Sequence, residues 1–439
     1  MASREYFNGK RVAVIGLGPF GEMVEDVKYL IKAGALVAIY DLRSEARLKS
    51  YLVFLRSIGL ANYVCGSIPV DDLLDMDIVI LSHEYPRNSS FLAGVKSKKI
   101  PIEYPETIFF RQAPPVNVVG VMGMCGKSTV VSMLAPMLEH ACALFGDQKL
   151  FCIDPESGEG VISHLKKIKS GDIVLMRVTE DMAVELHAMR MSPHVAIFTT
   201  LPNKGTYSDA AFELLEYQTY NNFIVSNDAV IDLIHALKIQ PKAKMLRTKS
   251  NVVPESWGFE GRGSHDKDNA SLALQAARLF KVEDDDAQRF LSLWKPLKGR
   301  IEFVKKVKNV EFYNDTASVV SCSTEIALES LSKNRNIVLV LGGAESACDY
   351  THLFSILPQF VHSIILVPGS GTMKERAYLR DLKDVNIVSA PSIEEAATLA
   401  LENSKKGDKV LFSPGFEAYG IDGSRRERGE RFVKAVRGL

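Results

Sequence analysis

Short apolar runs, each followed by a stretch with helical spacing, recur along the whole chain. Residues 11–17, 75–82, 172–176, 194–200 and 310–315 are examples, and each has the length of a buried strand. A strand that is apolar throughout is typical of a parallel sheet, because helices cover both of its faces. The alternation therefore predicts an α/β chain in which largely parallel sheets carry flanking helices.

Two breaks in this pattern divide the chain. A proline-marked polar stretch, RQAPP, covers residues 111–115, and a new series of strands starts after residue 298. The length of 439 residues is ordinary for two or three domains. We expect three domains, at residues 1–114, 115–298 and 299–439.

The composition excludes several classes of protein. Lysine plus arginine and aspartate plus glutamate both number 53, so no overall positive charge attracts nucleic acid or an anionic membrane surface. No apolar run approaches the roughly 18 residues that span a bilayer, and the first residues show no secretory signal. Six cysteines without a Cys-x-x-Cys pair argue against zinc and disulfides. We expect a cytoplasmic protein without nucleic acid or membrane partners.

The strongest chemical signal is the segment GVMGMCGKST at residues 120–129, between an apolar run and a helical stretch. Glycines let backbone N–H groups curl around phosphate oxygens, and the positive end of the next helix points at the same anion. Lys127 would reach the β- and γ-phosphates and Ser128 would hold Mg²⁺. Val121 departs from the strict P-loop pattern, since the glycines recur at every third residue instead. The predicted ATP-binding residues in this segment are Gly120, Gly123, Cys125, Gly126, Lys127, Ser128 and Thr129.

A second glycine turn, GLGPFG, spans residues 16–21 directly after the first apolar run, and Asp41 ends the next run. This is the G-x-G-x-x-G fingerprint of dinucleotide binding. An NAD-linked oxidoreductase is therefore one hypothesis for the chain. The same turn can hold the diphosphate of a nucleotide-linked substrate, and the bulky Phe20 leaves less room near the phosphates.

Three further motifs follow the ATP loop in order. They are Gly263-x-His265 with Asn269 four residues later, Arg300 in LKGRIE, and Asn314-Asp315-Thr316. Together with the glycine spacing, this series resembles the ATP-dependent Mur ligases over essentially the whole chain, most of all their D-glutamate-adding members. Further matches to signatures of that family are Gly342-Gly343, Ser413-Pro414 and Arg428-Gly429.

The resemblance implies an ATP-dependent carboxylate–amine ligase that works through an acyl phosphate. Its three domains would be a Rossmann-like N-terminal domain at 1–114, a P-loop ATPase-like central domain at 115–298 and a Rossmann-like C-terminal domain at 299–439. It also implies ATP and Mg²⁺ as cofactors, a UDP-linked muramoyl-type substrate and an amino acid as partners, a place in peptidoglycan precursor synthesis, and a monomer. It assigns catalysis to Lys127 and His265, and further ATP contacts to Asn269, Arg300 and Asp315. The other sites it implies are a UDP-substrate site at Gly16, Gly18, Pro19, Phe20, Gly21 and Asp41, an amino-acid pocket at Thr316, Ser346, Ala418 and Tyr419, and a metal site at Ser128, Glu180 and His265.

The metal-binding part of the family pattern is altered. Met176 or Arg177 stands near a strand end where the family has a metal-holding glutamate, and no Asp-His pair follows the next strand. Residues 210–223 contain no lysine for the family's carbamylated position. Glu213 or Glu216 would supply a carboxylate in that segment instead.

The amino-acid pocket is altered as well. Ser346 replaces a lysine that binds the carboxylate of the amino acid in the family, and Ala418-Tyr419 replaces Ser-Phe. Removing a cation from an anion pocket weakens binding, so the identity of the amino acid stays open. These changes support a second alternative, a Mur-ligase-fold paralogue that binds nucleotide without catalysis.

Overall fold

The computed structural model describes residues 2–18, 21–83, 85, 89–154, 157–201, 209–249, 252–332, 334–345, 348–380, 382–418 and 424–439. The chain forms two compact units. The first unit comprises Met1–Thr199, Thr206–Lys249 and Leu272–Ala287, and the second comprises Thr200–Gly205, Ser250–Ser271 and Gln288–Leu439. No helix in the described part of the chain is long and apolar enough to cross a membrane.

The first sheet lies in the N-terminal part of the first unit. Its strands are β1 (Arg11–Ile15), β2 (Leu36–Asp41), β3 (Asn62–Cys65), β4 (Ile78–Leu81) and β5 (Ile102–Glu103). Its helices are α1 (Ala2–Phe7), α2 (Met23–Lys32), α3 (Glu45–Ser57), α4 (Val70–Leu73), α5 (Ala93–Ser97) and α6 (Pro105–Gln112). The order is β3-β2-β1-β4-β5, and all neighbours are parallel. The chain changes direction across the sheet between β1 and β4, which is the point where open α/β sheets bind ligands.

The second sheet completes the first unit. Its strands are β6 (Asn117–Met122), β7 (Leu150–Ile153), β8 (Ile173–Arg177), β9 (Val195–Phe198), β10 (Phe223–Ser226) and β11 (Lys244–Arg247). The helices of this part of the chain are α7 (Lys127–Phe145), α8 (Glu180–Ala188), α9 (Asp209–Glu213), α10 (Asp228–Ala236), α11 (Ser264–Leu279) and α12 (Asp284–Leu293). The order is β11-β10-β9-β6-β8-β7, again parallel throughout. The strand β6 is therefore central, between β8 and β9.

The third sheet lies in the second unit. Its strands are β12 (Glu302–Val307), β13 (Val310–Asn314), β14 (Ile337–Leu341), β15 (Val361–Leu366), β16 (Asn386–Ser389) and β17 (Lys409–Phe412). Its helices are α13 (Ser321–Leu331), α14 (Thr351–Phe360), α15 (Ser370–Arg380), α16 (Ile393–Glu402) and α17 (Arg425–Gly438). The order is β12-β13-β17-β14-β15-β16, in which only the pair of β12 and β13 is antiparallel.

The burial of the strands explains this architecture. All five residues of β14 are buried, as are the last four of β1, because helices cover both faces of each sheet. The edge strand β12 instead carries Lys305 and Lys306, charges that discourage pairing with another chain. The predicted fold class, largely parallel sheets with flanking helices, is confirmed. The domain limits near residues 114 and 298 stay a prediction.

Candidate active site

The glycine-rich loop lies between β6 and α7, at the carboxyl edge of the second sheet. Gly123 and Gly126 have φ angles of 118° and 96°, which residues with a side chain rarely adopt. A Cβ at Gly123 would also collide with Oγ1 of Thr199, which directly follows the neighbouring strand β9. Glycine is needed at position 120 for a different reason. Gly120 lies inside β6, and its missing side chain makes room for Pro193. Gly123 and Gly126 therefore let the loop turn tightly before the helix begins, and Gly120 lets β6 pack closely against Pro193.

Lys127 is the first residue of α7, and its ammonium group folds back over the loop. Its Nζ donates to the carbonyl oxygens of Gly123 and Met124, the latter at 3.1 Å. Ser128 and Thr129 follow in the first turn of the helix and are buried. The loop thus gathers an ammonium group, two hydroxyls and the positive end of a 19-residue helix, an arrangement suited to a polyphosphate.

Glu180 begins α8, three residues after the end of β8, the strand next to β6. Thr179 caps this helix by accepting a hydrogen bond from the Met182 N–H at 3.3 Å. Burial raises the pKa of Glu180, and the charge of Lys127 acts in the opposite direction. A carboxylate therefore lies within electrostatic reach of the loop lysine. No three His, Cys, Asp or Glu side chains among the described residues converge to hold a metal ion.

Asp41 and Arg43 form the best-defined part of the first glycine turn. The carboxylate of Asp41 accepts hydrogen bonds from the backbone N–H groups of Leu17 at 3.0 Å and Arg43 at 2.9 Å. The Arg43 guanidinium binds both carboxylate oxygens, at 2.9 and 2.6 Å, and also donates to the Gly18 carbonyl at 3.0 Å. Burial alone would raise the pKa of Asp41, but these bonds hold it below its usual value. The fully buried Asp41 is thus engaged by the protein itself.

Arg43 was not predicted from the sequence, although it stands two residues after the end of β2 beside a predicted substrate turn. About a quarter of its side chain is exposed, beside the turn. Of the other predicted residues here, Gly16, Gly18 and Gly21 have φ angles between 76° and 80°. Pro19 and Phe20 lie outside the described residues.

His83 is a second residue that the motifs did not reveal. It follows β4 at the direction change of the first sheet, and its Nε2 lies 3.0 Å from both carboxylate oxygens of Glu106. Burial works against a charged ring, but the charge of Glu106 raises the pKa of His83 overall. A small pocket borders this pair, and its described lining includes Glu22, Asp26, Ser82 and Glu159. A histidine directly after a buried strand is the sequence signal that would have found it.

Asp315 lies in the second unit, at the end of β13. Its carboxylate accepts hydrogen bonds from the Ile301 N–H at 3.0 Å, the Ser318 hydroxyl at 2.6 Å and the Ser413 hydroxyl at 2.7 Å. Burial raises its pKa to about 6. Ile301 has a φ angle of 48°, which is costly for a β-branched residue. The carboxylate therefore holds a strained turn that contains Arg300, which makes Asp315 a structural centre of this unit.

His265 and Asn269 occupy the first turns of α11, also in the second unit. Nδ1 of His265 lies 3.0 Å from the Ser330 hydroxyl, and Nε2 lies 3.4 Å from Oδ1 of Asp266. The side chain of Asn269 is buried. The roles of these residues and of Arg300 in binding ATP stay predictions.

The predicted amino-acid pocket is described only in part. Thr316 is buried and donates to Oδ1 of Asn314 at 2.9 Å, and Ala418 is buried as well. Ser346 and Tyr419 lie outside the described residues. The Arg428 guanidinium is fully buried and donates to the carbonyl oxygens of residues 416 and 417, so it orders the chain just before Ala418.

Similarity to known proteins agrees with this geometry. No protein-family model matches the chain. The UDP-N-acetylmuramoylalanine–D-glutamate ligase of Clostridioides difficile is 26% identical over 98% of this chain and 99% of its own length. The ligase of the same name from Geotalea daltonii is 27% identical over 98% of both chains.

Two solved structures share the fold. A murein peptide ligase from Psychrobacter arcticus superimposes with a TM-score of 0.62 at 13% identity, covering 98% of this chain and 99% of its own. The UDP-N-acetylmuramate–alanine ligase MurC of Thermotoga maritima gives a TM-score of 0.61 at 15% identity, with the same coverage. The resemblance to the Mur ligases is confirmed.

Against the Mur ligase pattern, the end of β8 is the clearest departure. The resemblance leads us to expect a glutamate near Met176 or Arg177, and Arg177 lies opposite Val121 of β6. Its Nε donates to Oδ1 of Asp154 at 2.7 Å, and both side chains are largely buried. Met176 is fully buried within the strand. A paired guanidinium therefore stands beside the ATP loop at this position.

The other Mur ligase positions in the first unit are less well defined. Glu213, a candidate for the missing carboxylate, lies opposite His187 with 3.6 Å between Oε2 and Nε2. Glu216 is exposed on the following turn. Residues 202–208, where no Asp-His pair occurs, lie outside the described residues.

Proposed function

We propose that the chain is an ATP-dependent ligase that joins the carboxylate of a UDP-linked muramoyl-type substrate to an amino acid in peptidoglycan precursor synthesis. The observation that carries this proposal is the glycine-rich loop after β6, which leads into Lys127 at the N-terminus of a 19-residue helix. The near full-length similarity to D-glutamate ligases supports the class of substrate. The reaction belongs in the cytoplasm, where we expect its UDP-linked substrate.

The loop provides the charge stabilisation that phosphoryl transfer needs. A substrate carboxylate oxygen attacks the γ-phosphorus of ATP, and the bond to the departing ADP breaks. The amine of the amino acid then attacks the acyl carbon, and phosphate leaves as the amide forms. The Lys127 ammonium and the N–H groups at the start of α7 face the negative charge that develops on the transferred phosphoryl group.

The residues beside the loop fit a magnesium ion that is shared with ATP. Mg²⁺ in such sites is usually held by one or two protein groups together with phosphate oxygens and water. Ser128 and Glu180 would be those protein groups. Ser128 lies in the first turn of α7, and Glu180 lies within electrostatic reach of Lys127. When bound, the ion would neutralise charge on the β- and γ-phosphates.

The first sheet would bind the UDP-linked substrate. Its glycine turn lies at the direction change of the sheet, and the partly exposed Arg43 supplies a cation for a diphosphate. Asp41 would contact ribose hydroxyls in an NAD-binding fold. Here its oxygens already accept four hydrogen bonds from Leu17 and Arg43, which favours the UDP-linked substrate over NAD.

A second candidate function is nucleotide binding without catalysis. The observation that favours it is the ion pair of Arg177 with Asp154, at a strand end where a metal-holding carboxylate is expected. The two functions differ in one respect that can be measured, which is turnover.

The deciding experiment measures phosphate release from ATP in the presence of UDP-N-acetylmuramoyl-L-alanine and a panel of amino acids. A ligase releases phosphate only when both the UDP-linked substrate and one amino acid are present, and mass spectrometry then detects the amide product. A paralogue without catalysis binds ATP in a calorimetric titration but releases no phosphate with any amino acid. Binding of NAD but not of UDP-linked ligands would support the oxidoreductase instead.

Lys127→Ala tests the role of the loop directly. We expect loss of phosphate release, because the ammonium group that faces the transferred phosphoryl group is removed. Lys167→Ala is the matched control, since Lys167 is an exposed lysine of the same unit, and it should behave as the unaltered protein. Undiminished turnover of Lys127→Ala would refute the assignment.

A further inference from the structure

His265 is bound by a residue that no motif contains. Its Nδ1 lies 3.0 Å from the hydroxyl of Ser330, which is 65 positions further along the chain. His265 is the second residue of α11 and Ser330 lies in the last turn of α13. Both residues belong to the second unit, so the contact is internal to that unit.

The protons of this contact can be assigned by counting donors. A serine hydroxyl carries one proton. Ser330 donates that proton to the Ile326 carbonyl, one turn earlier in α13, at 2.7 Å. The Ile326 carbonyl can only accept and is the nearer of the two partners, so we assign the hydroxyl proton to it. The Ser330 oxygen then accepts a hydrogen bond from Nδ1 of His265. In the neutral ring the lone pair is then on Nε2.

Two neighbours border the ring. A Cβ at Gly263 would lie 3.1 Å from both Nδ1 of His265 and Oγ of Ser330, so a side chain there would press on this contact. On the other side, Nε2 lies 3.4 Å from Oδ1 of Asp266. The second oxygen of Asp266 accepts from the Arg262 N–H at 2.9 Å, which fixes that carboxylate.

We propose that Ser330 is a positioning residue for His265. It holds the imidazole in the Nδ1–H form, so that Nε2 is the ring atom that meets a reaction partner. The importance of His265 for catalysis rests on the proposed function. The protonated form of the ring does not depend on that function. Gly263 in the G-x-H motif then has a physical reason, which is to admit the hydroxyl of Ser330 to the ring.

The first test observes the ring itself. The full-length protein is labelled with ¹⁵N-histidine, and the ring nitrogens are recorded by NMR at about pH 8, where an ordinary histidine is neutral. The signals that disappear in His265→Gln belong to His265. We expect a single Nδ1–H form in the unaltered protein and a shift toward the Nε2–H form in Ser330→Ala. Ser330→Thr should keep the Nδ1–H form. Ser330→Val should lose it, because valine has the shape of threonine but no hydroxyl.

A matched control is available in α14. Ser355 also donates its hydroxyl to the preceding turn of its own helix, at 2.7 Å to the His352 carbonyl, and Ser355→Ala should leave the His265 signals unchanged. An unchanged His265 spectrum in both Ser330→Ala and Ser330→Val would overturn the proposal.

The second test uses turnover. We expect Ser330→Ala to lower kcat about tenfold with little change in KM, as is typical for loss of a group that orients a functional histidine. In a His265→Ala background the same substitution should have no further effect, because Ser330 acts through the ring. Equal effects in both backgrounds would mean a merely structural role. If the protein shows no ligase activity, the proposed function fails, and the NMR result still decides the role of Ser330.

Discussion

Arg43 binds Asp41 through two parallel hydrogen bonds, from Nε at 2.9 Å and from a terminal guanidinium nitrogen at 2.6 Å. The carboxylate is fully buried, whereas about a quarter of the arginine side chain is exposed. The ion pair neutralises a charge inside the first sheet. We place the diphosphate of the UDP-linked substrate beside this turn and its arginine.

Arg43→Ala should weaken the binding of a UDP-linked ligand about tenfold or more, because a charge-assisted contact to phosphate is lost. Isothermal titration with UDP-N-acetylmuramoyl-L-alanine measures this change, and the affinity for ATP should stay the same. Arg43→Lys retains the charge but not the two parallel bonds, so its affinity for the UDP-linked ligand should lie between those of the unaltered protein and Arg43→Ala. Arg47→Ala, an exposed arginine in α3, is the control. Unchanged UDP-ligand binding by a folded Arg43→Ala protein would contradict the assignment.

The sequence predicted those parts of the candidate site that are formed by residues close together in the chain. The apolar runs and the glycine spacing indicated β1, β6 and the two turns that follow them, because a strand and the loop after it are close in sequence. The contacts of Asp315 were not predictable in this way. Ser413 joins its carboxylate from 98 positions away, and only the folded third sheet brings them together.

Asp26 gives a prediction about pH. It lies in α2, and its carboxylate accepts the N–H groups of Val161 at 3.0 Å and Ser163 at 2.8 Å within the first unit. Burial raises its pKa to about 7, and the charge of Glu106 adds to this effect. The unfolded chain releases the proton near pH 4, whereas the folded chain keeps it until about pH 7. The contribution of Asp26 to stability is therefore complete at acid pH and is lost as the pH rises to about 7.

The free energy of unfolding should report this loss. Its difference between the unaltered protein and Asp26→Asn should fall by up to about 1.4 kcal/mol per pH unit between about pH 5 and 7, and should level off above that. Urea denaturation at a series of pH values measures the difference. Asp75→Asn, at an exposed aspartate of the same unit, should reproduce the pH profile of the unaltered protein. A constant difference across this range would show that Asp26 ionises at an ordinary pH.

Substitution of Asp315 tests whether its carboxylate stabilises the fold or binds nucleotide. Because its buried carboxylate holds the Ile301 N–H and two hydroxyls, Asp315→Ala should lower the free energy of unfolding of the second unit by about 3 kcal/mol. Ser413→Ala removes one of these bonds and should cost about 1 kcal/mol. Glu329→Ala, an exposed position in α13, is the control. If Asp315→Ala kept its stability and lost only ATP affinity, the carboxylate would belong to the nucleotide site, as the Mur ligase resemblance implies, and the structural role argued from its contacts would be wrong.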